Sequence, residues 1–120
     1  MKEFDLKKRT QQYAIDILFF LEALPQKYPY TAFINQLTRA SLSVGANYRA
    51  AQRAKSTADF INKLKIVEEE ADECLYFLEV LNSINSGYSD KIISLHKEGE
   101  EILKIIVTII NKARKNPQTL

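Results

Sequence analysis

Residues 36–79 read QLTRASLSVGANYRAAQRAKSTADFINKLKIVEEEADECLYFLE, and this stretch decides the fold. Its first half is rich in small residues and carries three arginines, and its second half carries a run of acids between Glu68 and Glu73. Apolar residues recur every three or four positions on both sides of Ser56, a spacing typical of amphipathic α-helices. The stretch therefore predicts the second part of one helix, a tight turn and most of a following helix.

The same periodicity extends over the rest of the chain, so the predicted fold class is all-α. Gly and Pro each occur only three times among 120 residues. Ser56 is a good N-cap residue, with Asp59 at the capping-box position three residues later. We expect an antiparallel up-down-up-down four-helix bundle that forms one domain over residues 1–113. The predicted helices span about residues 5–24, 32–54, 57–85 and 89–113, and a disordered tail covers residues 114–120.

More apolar residues are present than the interior of one bundle needs. A bundle helix requires an apolar arc of roughly 100°. The third and fourth helices exceed it, and Ile15 and Phe19 lie away from the core stripe of the first helix. In a monomer these residues would stay on the surface, whereas in a homo-oligomer they would be buried between subunits. We expect a homo-oligomer. The predicted interface residues are Ile66, Glu70, Phe77 and Leu81.

Charge is distributed unevenly along the chain, although the formal net charge is only +2. Residues 1–65 hold eleven Lys and Arg against five Asp and Glu, whereas residues 66–101 hold two against ten. Residues 102–120 hold four Lys and Arg and no acid. Such a chain can offer a basic surface to a polyanion or can pair its own halves. The sequence leaves both interpretations open.

The candidate nucleic-acid-binding residues belong to the second helix and are Arg39, Arg49, Arg53 and Lys55. No RNA-recognition, helix-turn-helix or zinc-finger signature accompanies them, so we expect phosphate contacts with little sequence preference. The alternative role is structural, because Glu70 lies among apolar residues and a carboxylate there requires a cationic partner. For Arg39 the two roles are equally supported. For Arg49 and Arg53 phosphate contact is favoured.

No combination of residues typical of an active site or a metal site is found. His96, the only histidine, lacks Cys or carboxylate ligands at matched spacing, and the chain has no Glu-x-x-His motif of the kind that a di-iron bundle uses. Cys74 falls in the core stripe of the third helix, where a small buried side chain is expected. We therefore expect a non-enzymatic protein without a metal, a cofactor or a small-molecule substrate.

The sequence also bears on the cellular compartment. A single cysteine and an N-terminus without the apolar segment of a signal peptide are typical of a cytoplasmic protein. The longest apolar run, residues 105–110, is far shorter than the roughly 20 residues that span a bilayer. We expect a cytoplasmic protein that makes no use of a membrane.

Three segments, SVGANYRAAQRAKS, DFINKLKIVEEEADE and YFLE, resemble the 23S rRNA intervening-sequence proteins. This four-helix-bundle family is related to the accessory variability protein of diversity-generating retroelements. The resemblance implies an antiparallel bundle that assembles into a ring-like homopentamer. The retroelement adaptors are strongly basic, whereas this chain is close to neutral, and that departure weakens the nucleic-acid interpretation. The family's recurring polar positions correspond here to Arg39, Asn47, Arg49, Arg53, Glu70, Glu73 and Glu79.

The sequence supports two functional hypotheses, and an enzyme is the third alternative. The first is a homo-oligomer that binds structured RNA, DNA or a ribonucleoprotein through the basic residues of the second helix. The second is a protein-interaction scaffold whose arginines form ion pairs with Glu70 and Glu73 between subunits. The dependence on salt concentration distinguishes these two hypotheses. The affinity for phosphates falls steeply as ionic strength rises, whereas a buried ion pair is weakened only slightly. The third, an enzyme, would need a concave pocket with convergent titratable groups.

Overall fold

The computed structural model describes residues 6–116, which form four α-helices joined by short turns. Helix α1 spans Leu6–Glu22, α2 spans Tyr30–Ala51, α3 spans Thr57–Ile84 and α4 spans Ser89–Lys115. A short 3₁₀ turn at Ser86–Tyr88 precedes α4. No β-strand occurs in this part of the chain. The predicted all-α fold class is confirmed.

Each helix packs against its neighbours in sequence, and α1 also packs against α4, as in a four-helix bundle. Neighbouring helices run antiparallel. The Tyr30 hydroxyl at the start of α2 accepts a hydrogen bond of 2.9 Å from Asn85 Nδ2, just beyond the end of α3. Phe20 near the end of α1 meets Tyr88 next to the start of α4, ring edge to ring face. The helices α1 and α3 therefore begin at the end of the bundle where α2 and α4 finish.

The core is continuous along the bundle and contains apolar residues from all four helices. Cys74 is fully buried, as predicted, and burial raises the pKa of its thiol to about 12. Leu81 is also fully buried, so its assignment to a subunit interface was wrong. Helix α3 packs against α2, α4 and the 3₁₀ turn, and its buried arc is correspondingly wide. The largest fully buried apolar side chains are those of Leu6, Tyr13, Ile17, Leu37, Val44, Leu64, Val67, Leu78, Leu81, Ile102 and Ile106.

Two glycines sit at close approaches between helices. A Cβ atom at Gly99 would lie 2.6 Å from the Tyr13 hydroxyl and 2.8 Å from Leu75 Cδ2, so a larger residue would displace buried side chains. A Cβ atom at Gly45 would lie 3.4 Å from Thr10 Oγ1, which is an ordinary contact. Helices α1, α3 and α4 are therefore packed more tightly around Gly99 than α1 and α2 are around Gly45.

The helix ends differ from the predicted ones by a few residues. Helix α2 ends at Ala51, because the next amides donate to carbonyl groups three residues back and close the last turn. The Ser56 hydroxyl caps α3 by accepting a 3.0 Å hydrogen bond from the Asp59 amide, as predicted. Helix α4 continues through Arg114 and Lys115, which were predicted to belong to a disordered tail. The rest of that prediction, on residues 117–120, lies outside the described residues.

Candidate nucleic-acid interface

Arg39 lies on α2 at the level of the acidic run of α3. Its Nη1 donates to both carboxylate oxygens of Glu70, at 3.1 and 3.3 Å, and its Nη2 donates to Glu73. The hydrogen bond with Glu73, followed by that with Glu70, raises the pKa of Arg39. Carboxylates of the same chain thus supply the ion pairs that the predicted structural role of Arg39 requires. Neither phosphate nor a second subunit is needed for that pairing.

Arg49 lies in the last turn of α2, and Arg53, which was predicted to be on this helix, lies in the turn just beyond it. Both are exposed near the end of α2, and no ion pair within residues 6–116 uses either side chain. Lys55 follows in the turn, also exposed, and only its backbone amide is held, by Asp59 Oδ2 at 3.0 Å. These three cations keep their charge available to a ligand.

Asp59, the acid nearest to these cations, forms its ion pair with Lys63, although the charge of Lys55 also acts on it. Lys63 Nζ donates to both oxygens of its carboxylate, at 2.6 and 2.7 Å. This hydrogen bond, together with that from the Lys55 amide, lowers the pKa of Asp59. Across the described residues 6–13, 42–65 and 104–116, Asp59 is the one acidic side chain.

The antiparallel topology brings further cations to the same end of the bundle. The start of α1 and the last turns of α4 lie beside the end of α2 and the start of α3. We call the exposed cationic residues at these four helix ends the basic end. Its members are Lys7, Lys8, Arg49, Arg53, Lys55, Lys112, Arg114 and Lys115. None of these side chains forms an ion pair within residues 6–116.

The members of the basic end on α1 and α4 were not predicted as site residues. The excess of Lys and Arg in residues 102–120 was visible in the sequence, but part of it was assigned to a tail. An up-down-up-down topology places the C-terminal ends of the second and fourth helices at the same end of the bundle. Combining the charge count with that topology would have found these residues.

The ion pairs between helices involve residues other than the members of the basic end. The Arg9 Nε atom of α1 donates to Glu98 of α4 at 2.7 Å, and Arg39 links α2 to α3. Between α3 and α4 an acidic cleft of about 400 Å³ is lined by Lys65, Glu68, Glu69, Asp72 and Leu103. The two oppositely charged parts of the chain are thus only partly neutralised by each other.

The predicted interface residues of α3 have unequal environments. Leu81 belongs to the core, and Glu70 is held by Arg39. Ile66 is 41% exposed, and Phe77 is half-buried with its ring edge to face against Tyr76, at a centroid distance of 5.7 Å. The surplus of apolar surface is spread over all four helices. Further exposed apolar side chains are Ile15, Phe19, Leu42, Tyr76, Ile84 and Ile93.

His96 contributes to the packing of α4 on α3 rather than to a metal cluster. Its Nε2 lies 2.7 Å from Glu79 Oε2, and its Nδ1 lies 3.7 Å from Glu100. Within residues 6–116 no group of three or more His, Cys, Asp or Glu is arranged to hold a metal ion. In the same part of the chain, every helix is too short or too polar to cross a membrane.

Comparisons with known proteins agree on one family. The model of the 23S rRNA-intervening sequence protein family matches residues 2–108. A crystal structure of a protein of unknown function from the S23 ribosomal protein family of Bacteroides thetaiotaomicron is similar, with a TM-score of 0.84 and 33% sequence identity. The match covers 92% of this chain and 99% of that chain. No curated protein matches. The chain belongs to the family of 23S rRNA-intervening sequence proteins, as its motifs predicted.

Proposed function

We propose that this protein is a non-enzymatic homo-oligomer that binds structured RNA, free or in a ribonucleoprotein, through its basic end. The observation that carries the proposal is the grouping of exposed cations from α1, α2, α4 and the turn after α2, without ion-pair partners among residues 6–116. A surface of this kind matches a phosphate backbone, since neutralising phosphates releases condensed counterions and stabilises the complex.

The choice of RNA comes from the family name, which refers to the intervening sequences of 23S rRNA. Contacts from lysine and arginine to phosphates fix the position of a nucleic acid but read little of its sequence. The protein is therefore expected to recognise the shape of a folded RNA, with DNA as a weaker ligand.

Assembly into a ring-like homopentamer is part of the proposal. Exposed apolar side chains such as Phe19, which is 67% exposed, and Ile66 support it, because exposed apolar surface commonly marks a subunit contact. Repeating the basic end around a ring would multiply the phosphate contacts of one chain.

A protein-interaction scaffold is the second candidate. It is favoured by the acidic cleft, where no ion pair among the described residues involves Glu68, Glu69 or Asp72. In this case Arg49 and Arg53 would meet those acids of a neighbouring subunit. Since such contacts are shielded from salt when the subunits bury them, the two candidates respond differently to ionic strength.

The test is the binding of a labelled fragment of ribosomal RNA, measured over a range of salt concentrations. The affinity should fall steeply as salt rises. In an Arg49→Ala/Arg53→Ala variant the slope of log affinity against log salt should become less steep by about 1.5, because each lost phosphate contact contributes roughly 0.7–0.9. The affinity should fall about tenfold at moderate salt.

The matched control is Lys91→Ala/Lys97→Ala, which removes two exposed cations from α4 away from the basic end. It should bind RNA like the parent protein. Equal losses in both variants, or binding that does not depend on salt, would contradict the basic end as the RNA surface. Light scattering should give a mass several times 13.8 kDa, and a monomer would contradict the oligomer.

A further inference from the structure

A groove with a volume of about 350 Å³ lies between α1 and α2, and its lining includes Lys7 and Arg49 of the basic end. Its lining changes character along its length. Lys7 and Arg49 stand at the end formed by the first turn of α1 and the last turn of α2. Towards the opposite end the walls are the apolar side chains of Ile15, Leu18 and Leu42.

The groove exists because its floor is made of residues with little or no side chain. Ala14, Gly45 and Ala46 lie between the larger apolar walls and leave the space above them unfilled. The walls are in contact with solvent, with Leu42 49% exposed and Ile15 37% exposed. Apolar surface exposed in a concave site is favourable to cover with a flat apolar ligand.

Two features of the lining point to an anionic ligand with an apolar part. The cations Lys7 and Arg49 have no ion pair within residues 6–116. Gln11, on the α1 side of the groove, is exposed, and its amide can both donate and accept hydrogen bonds. The volume lies within the range of small-ligand sites, about 300–1,000 Å³.

We propose that this groove receives one unpaired nucleotide of the bound RNA. The base enters the apolar part between Ile15 and Leu42, Gln11 contacts the polar edge of the base, and the adjoining phosphates contact Lys7 and Arg49. The inference rests on the proposed RNA-binding function and adds its ligand class, a base that is free of pairing. Unpaired nucleotides can swing out of a helix, whereas paired bases cannot leave the stack without a free-energy cost.

Charge and continuity favour a nucleotide over a second copy of the chain. The groove is continuous with the basic end, so one RNA strand can follow the cations and place a base in the groove without a gap. A second subunit in the groove would leave fewer cations of the basic end open to RNA.

The test uses two RNA hairpins of equal length, one fully paired and one with a single bulged 2-aminopurine. The parent protein should bind the bulged hairpin about tenfold more tightly. The fluorescence of the bulged base should change on binding. Ala46→Phe fills the groove, and Leu42→Gln removes an apolar wall. Each variant should bind the bulged hairpin no more tightly than the parent protein binds the fully paired hairpin.

The matched control is Ala32→Phe, the same substitution at an exposed alanine of α2 outside the groove. It should keep the preference for the bulge. Circular dichroism and light scattering of each variant should show parental helicity and mass.

Each remaining outcome contradicts a particular statement. Equal affinity of the parent protein for the two hairpins overturns the nucleotide groove and leaves the phosphate-binding function standing. Binding of neither hairpin overturns both proposals. A lower mass of Ala46→Phe shows that a second subunit occupies the groove and overturns the inference.

Discussion

The middle of the bundle and its basic end hold arginines of the same helix in opposite surroundings. Arg39, in the middle, is bonded to Glu70 and Glu73. Arg49, in the last turn of α2, has no ion-pair partner within residues 6–116, and neither has Arg53 just beyond that helix. Ten residues, about 15 Å along a helix, separate Arg39 from Arg49. A shared residue type and a shared helix therefore do not imply a shared role.

The register between α2 and α3 explains this difference. The two helices are antiparallel, so the middle of α2 faces the acidic run of α3, and the end of α2 faces the first turns of α3. Those first turns contain one acid, Asp59, and Lys63 already holds it. Whether an arginine is structural or available thus depends on what the neighbouring helix places opposite it.

The largest expected effect is that of enlarging Gly99, which lies in the packed core in the middle of the bundle. Gly99→Ala should lower the free energy of unfolding by about 2 kcal/mol, because the new Cβ atom meets the Tyr13 hydroxyl and Leu75 in a packed core. Gly45→Ala, at the looser approach, should leave stability within about 1 kcal/mol of the parent. Denaturant titrations measure both. Equal stability of Gly99→Ala and Gly45→Ala would show that the core around Gly99 is less tightly packed than its short distances to Tyr13 and Leu75 indicate.

An intermediate effect is expected from raising the pH, because two buried groups in the middle of the bundle have raised pKa values. Burial raises the pKa of Cys74 from 9.0 to about 12 and also raises that of Tyr13. Each of these groups contributes to the free energy of unfolding while the pH is below its ordinary pKa. This contribution is lost as the pH rises through the higher pKa that the group has in the folded protein. The free energy of unfolding should therefore fall by about 1 kcal/mol or more between pH 8 and 10.

Cys74→Ala provides the control for this pH dependence. It should be less stable than the parent protein at pH 8, because a small cavity is created, but its stability should fall less steeply with pH. Parallel profiles of the two proteins would show that the thiol does not contribute.

The smallest effect is expected for Arg39→Ala, which removes the ion-paired arginine in the middle of α2. Loss of a partly exposed ion pair should lower the melting temperature by only about 1–3 °C. Binding to ribosomal RNA should be unchanged, in contrast to the loss expected for Arg49→Ala/Arg53→Ala. An Arg39→Ala protein that lost RNA affinity while keeping its melting temperature would reverse the roles assigned to the two parts of α2.

Much of the fold was predictable, because the signals that carry it are local. Ser56 caps α3 by accepting a hydrogen bond from the amide of Asp59, which is only three residues later in the sequence. Cys74 is buried where the helical periodicity placed it. Leu81 was assigned to the wrong surface, since the width of the buried arc of α3 depends on α2, α4 and the 3₁₀ turn together.

The candidate site was only partly predictable. Arg49, Arg53 and Lys55 could be named from the charge pattern of residues 36–79, but the same pattern did not separate them from Arg39. The groove between α1 and α2 has no signature in the sequence, because Ala14 and Ala46 are individually ordinary helix residues. Its volume arises only when two helices bring their small residues together.

The helical fold class, the main core residues and the family could be identified without a structure, because periodicity, caps and motifs are properties of short segments. The tertiary structure decided which charges remain uncompensated. Ion pairs such as that of Arg39 with Glu70 require side chains about thirty residues apart to lie in register. The basic end likewise requires the start of α1 and the ends of α2 and α4 to lie at the same end of the bundle, since electrostatic interactions depend on distance in space and not along the chain.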